Sequence, residues 1–160
     1  MSEVADKGKD VRVLLEHPVQ LVGISVAHLM ISVRQAVTPD YRIDAREVRI
    51  AATDATMLEG KNIFTLSVRA SYRAPGFSLP MDNSGSDDSC VSFLVEMTGE
   101  YEFNREVMSE EDIVRFTKQG ALHLMLPFVR DQVYSLTMRA GIKPVMIPTY
   151  QIPIFYVKQN

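Results

Sequence analysis

Phe64-Thr65-Leu66-Ser67-Val68-Arg69-Ala70-Ser71-Tyr72 alternates apolar and polar residues without a break. Successive side chains of a strand point to opposite faces, so Phe64, Leu66, Val68, Ala70 and Tyr72 share one face and the polar residues the other. That is the pattern of a half-buried strand with a single covered face. Upstream, the Glu59-Gly60-Lys61-Asn62 turn leads back to a strand through Val48 and Ile50. Further upstream, Val22, Ile24 and Val26 alternate on one parity, and Leu29, Ile31 and Val33 on the other. A parity switch of this kind implies either a bulge, here near Ala27 and His28, or a strand covered on both faces. Thr38-Pro39-Asp40 separates these two strands. Downstream, Pro75, Gly76, Pro80, Asn83 and Gly85 mark an exposed loop. A fourth strand then carries Val91, Phe93, Val95, Met97, Tyr101 and Phe103 on one parity. Four strands with no helix between them predict an antiparallel sheet, a meander or a related order, over residues 19–104.

The period changes at Ser109. Ser109 is a suitable N-cap, and Glu110, Glu111 and Asp112 put negative charge at the positive end of a helix dipole. A helix is expected over 109–140, kinked or divided at Pro127 and stopped by Gly141. Leu122, Leu126, Val129, Val133 and Leu136 form one stripe, widened by Met125. Leu124, Phe128, Tyr134 and Met138 lie well outside it. A helix on one sheet needs one apolar face, so the excess implies a second partner, a further subunit. Residues 142–160 form an apolar tail in which Pro144, Pro148 and Pro153 preclude a long helix. Residues 1–17 read as a flexible lead-in, and the whole chain as one domain.

Several functions find no support in the composition. The formal net charge is -3 with no long basic run, so the expectation is no nucleic-acid partner. Met1 to Asp10 lacks the apolar stretch of a secretory signal, and no apolar run reaches the roughly 18 to 20 residues that span a bilayer. With Cys90 the only cysteine, an intrachain disulfide is impossible. The expected location is cytoplasmic, with no stable membrane insertion.

The chemistry-bearing residues form no constellation. His17, His28 and His123 lack metal-ligand spacing, and His123 on an apolar helix reads as a core or interface residue. The glycines make no phosphate-cradling motif, and Cys90 has no evident base. No cofactor, no metal and no catalytic residue is expected, hence no enzyme. Apolar material, by contrast, is in excess. Nine methionines suit a surface that accepts many shapes, with Met146 and Met81 the best placed, and most of Met30, Met97, Met125 and Met138 expected to fill the core.

Leu126-Pro127-Phe128-Val129-Arg130-Asp131-Gln132-Val133-Tyr134-Ser135-Leu136, followed by Arg139, Gly141 and Pro144, resembles the helical signature of the SecB export-chaperone family. The order of elements resembles that family as well. The resemblance implies an α+β subunit, a four-stranded antiparallel sheet followed by a long kinked helix, assembling as a dimer of dimers. It implies an ATP-independent holdase that binds unfolded polypeptides in an apolar groove. Partners would be such clients, further copies in a homotetramer, and the SecA motor or a labile antitoxin. A dedicated module guarding one antitoxin is the alternative. The groove is expected to use Val48, Ile50, Phe64, Val145, Met146, Ile147, Tyr150, Ile152, Ile154 and Phe155. The subunit interface is expected at Leu122, Met125 and Val129. The family's second helix and acidic tail find no counterpart in the sequence around Pro153 and Lys158-Gln159-Asn160, which leaves a contact with the translocase motor in question.

Overall fold

The computed structural model describes residues 17–34, 37–74 and 90–148. Strands β1 (Val19–Val33), β2 (Arg49–Ala52), β3 (Thr56–Met57), β4 (Ile63–Tyr72) and β5 (Val91–Phe103) precede helices α1 (Glu110–Lys118) and α2 (Gly120–Arg139). All strand pairings are antiparallel, in the order β1-β5-β4-β2, with β3 also on β4. β2 and β3 lie one after the other along β4, opposite Val68–Ser71 and Phe64–Thr65 respectively. The second of the four expected strands is thus interrupted at residues 53–55. The order is not a meander, because β1 lies beside β5 and the chain crosses the sheet to reach β2.

The alternation of β4 and β5 decides which face is covered. Phe64, Val68 and Ala70 of β4 and Val91, Phe93, Val95 and Tyr101 of β5 are fully buried under the helices. The Phe64 and Tyr101 rings stack at 4.8 Å. Tyr101 donates its hydroxyl to the Ala121 carbonyl at 2.7 Å, and burial pushes that phenol well above its ordinary range. The opposite face is mostly polar, with Leu94 a buried exception. Ser67 meets Thr98 at 2.7 Å, and Glu96 accepts from Arg69 and pairs with His28, each at 3.0 Å. Gly99 leaves room for its neighbours, for a Cβ there would stand 2.7 Å from the Met125 sulfur and 2.9 Å from the Tyr101 ring.

β1 has register shifts between Leu21 and Gly23 and between Val26 and His28. The second is the bulge that the parity switch allows. Ser109 caps α1, accepting from the Asp112 amide, while its hydroxyl donates to the Asp112 carboxylate at 2.6 Å. This hydrogen bond lowers the Asp112 pKa.

The helix is divided at Gln119, where φ is -129° and ψ is -55°, and not at Pro127, through which α2 continues. The break requires a glycine beside it, for a Cβ on Gly120 would lie 2.5 Å from the Phe116 ring. Pro127 sits on the exposed side of α2, where a carbonyl deprived of its amide partner can bond to water. Gly141, at a φ of 75°, ends α2 in the left-handed conformation that favours glycine. The chain then doubles back. The Lys143 amide donates to the Tyr41 carbonyl at 3.1 Å, and the Val145 amide to the Thr137 hydroxyl at 3.0 Å.

Candidate functional site

α2 carries two apolar stripes, one packed on the sheet and one exposed. At about 100° per residue, Ala121, Met125, Val129 and Val133 fall on one side, and all are fully buried against the sheet. Leu124, Phe128, Tyr134 and Met138 fall outside that side, in a band of roughly 120° that begins beside Ala121, by the same 100° step. These four are exposed at 40%, 43%, 38% and 51%. Single exposed apolar residues are ordinary, but four on one helical face form a patch that calls for a partner.

β1 adds to this surface. Ile24, Val26, Leu29 and Val33 pair with Gly99, Met97, Val95 and Val91 of β5, whose large side chains point to the helix side. Cross-strand partners share a face, so this row of β1 also points to the helix side. α2 touches β1 and Ile31 packs on the core, but the row is only partly covered, with Val26 49% and Leu29 44% exposed. Among the described residues no strand pairs with the outer edge of β1. A 15-residue apolar edge strand is a template for another chain.

A channel follows α1. Two adjoining cavities of about 370 Å³ each share Ala55 and Thr117 and lie between α1 and the β2–β3 edge. Met57, Met108, Ile113 and Val114 give one cavity an apolar wall with Arg105 and Glu110 at its margin. Leu66 and Leu122 contribute to the other, beside Asp54 and Lys118. Val114 and Met57 are about half exposed. Helical geometry explains Val114: Ile113 and Phe116 fill the core-facing side of α1 and leave it outside. The sequence reading missed this wall. Its signal was two methionines, Met57 and Met108, on either side of the β4–β5 unit.

The residues expected to form a groove are dispersed. Phe64 is fully buried between β4 and the helices, and Val48, Val145 and Ile147 are also core residues. Ile50 is half-buried and Met146 is 61% exposed. Tyr150, Ile152, Ile154 and Phe155 lie outside the described residues. Of the residues expected at a subunit interface, Met125 and Val129 are fully buried within the chain itself, where they pack its own helix on its own sheet. Leu122 is half-buried and borders the channel.

The polar side chains show local structural roles. His17 accepts the Val19 amide at 3.1 Å, and His123 meets the Gln119 carbonyl at 2.6 Å. Burial raises the Tyr72 pKa to about 12, against the Arg73 guanidinium 5.1 Å from its ring centre. Among the described residues no group of three or more His, Cys, Asp or Glu side chains is placed to hold a metal ion. No helix there is long and apolar enough to cross a membrane.

No protein-family model and no curated protein sequence matches this chain. Among solved structures, it is similar to the SecB-like chaperone Rv1957 of Mycobacterium tuberculosis, in complex with a ChAD peptide from the HigA1 antitoxin. The TM-score is 0.59 at 14% identity, covering 84% of this chain and 88% of that one. The likeness is one of fold: an antiparallel sheet and a long C-terminal helical arm in the SecB-like arrangement.

Proposed function

We propose that this chain is the subunit of a SecB-like holdase, an oligomer that keeps other polypeptides unfolded without ATP and catalyses no reaction. The observation that carries the reading is the second apolar stripe of α2, together with the partly covered row of β1. A lone chain would leave both in water, whereas a further copy laid over α2 and along β1 removes them. A dimer of dimers is the assembly this reading requires, and the cytoplasm is its place of action.

Clients bind in the channel beside α1, where Met57, Met108 and Val114 offer adaptable apolar contacts. Ile50, half-buried, and Met146, 61% exposed, are further contact residues on this reading, as are Tyr150, Ile152, Ile154 and Phe155, which lie outside the described residues. Burial of apolar area contributes about 25 cal/mol per Å² whatever the sequence, which suits a protein with many clients. Several subunits holding one client raise the effective affinity further.

The antitoxin complex of the structural relative favours a second reading, a guardian of one antitoxin. Delivery of clients to the SecA motor would instead belong to the general holdase. The test is suppression of aggregation of a chemically denatured protein without nucleotide, with a pull-down from the host. Suppression with a broad set of precursors supports the general holdase, and capture of one small protein supports the guardian. A chain that stays monomeric and leaves aggregation unchanged overturns both.

A further inference from the structure

We draw no further inference here: the strongest candidate, the channel between α1 and the β2–β3 edge with Met57, Met108 and Val114 along it, belongs to the site already described, and nothing in the structure shows what covers it beyond that reading.

Discussion

Replacing Val26 with aspartate tests the proposed assembly at its most exposed point on the helix side of β1. Val26 pairs with Met97 and is 49% exposed, beside Leu29 at 44% and Ile24 at 38%. Full burial of such a side chain contributes about 1.5–3 kcal/mol, so covering the remaining half contributes roughly 0.6–1.5 kcal/mol each. Three of them give about 2–4 kcal/mol per copy, and a two-fold interface uses the row twice. Val26→Asp removes one such contribution per copy and leaves a carboxylate in apolar contact, which costs several kcal/mol more. The combined loss exceeds about 4 kcal/mol, or roughly a thousandfold in dissociation constant at 1.4 kcal/mol per tenfold. Light scattering over a dilution series should therefore show the variant falling towards the 18.0 kDa protomer at concentrations where the parent remains assembled. Ser25→Asp is the matched control. Ser25 is exposed and pairs with Thr98 on the polar face, so its charge leaves the mass unchanged. Circular dichroism should be the same for all three proteins, since Val26 is not part of the chain's own core. A Val26→Asp protein with the parent's fold and the parent's mass at every dilution would refute the assembly surface.

Val114→Asp should weaken binding of a fluorescent apolar peptide at least tenfold, by anisotropy, with no change in mass; unchanged affinity would remove α1 from the client site. Thr137→Val leaves the buried Val145 amide without its acceptor at a cost of about 2 kcal/mol, or roughly 4–8 °C in Tm at this length. Hydrogen exchange at that amide should accelerate in Thr137→Val and stay slow in Thr137→Ser. Gly120→Ala should lower stability by about 1–3 kcal/mol in denaturant titration, because its Cβ meets the Phe116 ring; a stabilised variant, as helix propensity alone would give, contradicts the crowding argument. The paired hydrogen bonds from Arg46 hold the Asp44 pKa at about 2, against an ordinary 3.8. Since the folded value is the lower one, the stabilisation from this pair is complete above pH 3.8 and is lost as pH falls towards 2. Tm measured across that window should fall less steeply in Asp44→Asn than in the parent.

The strands of the core were legible because period 2 leaves no choice of which residues share a face. In β4 and β5 one face is apolar and the other mostly polar, and the structure covers the apolar one. Strand order was not legible, because β1 reaches β5 only through a crossover whose direction no local pattern records. Parity in the returning segment was equally readable without its sense. Val145 and Ile147 share one side and Met146 takes the other, but only the hydrogen bonds from Val145 to Thr137 and from Lys143 to Tyr41 show which side turns inward. Pro127 drew attention as a breaker, yet an exposed proline is tolerated where water can satisfy the freed carbonyl. The break falls instead at Gln119, where the Phe116 ring lies so close to Gly120 that a Cβ would not fit, a proximity visible only in three dimensions. The second face of α2 is the converse case. Leu124, Phe128, Tyr134 and Met138 were set apart by helical angle alone, and the structure leaves all four exposed.

That break divides the labour between the two helices. α1 is amphipathic, with Ile113 and Phe116 in the core, Val114 beside the channel and a charged first turn in solvent. α2 carries two apolar stripes, one packed on the sheet and one exposed. A single straight helix would hold the outward stripe of α2 and the channel wall of α1 in one fixed register. Turning the chain at Gln119 releases that constraint, so on the proposed reading the surface for another copy and most of the surface for a client fall on different helices. Assembly and client binding are then expected to respond to different residues. Changes on β1 or the exposed stripe of α2 should act on mass first, and on affinity only through the number of subunits sharing a client. Changes along α1 should act on affinity directly. A protein in which both properties always fell together would have one surface serving both purposes, and the two-helix geometry argues against that arrangement.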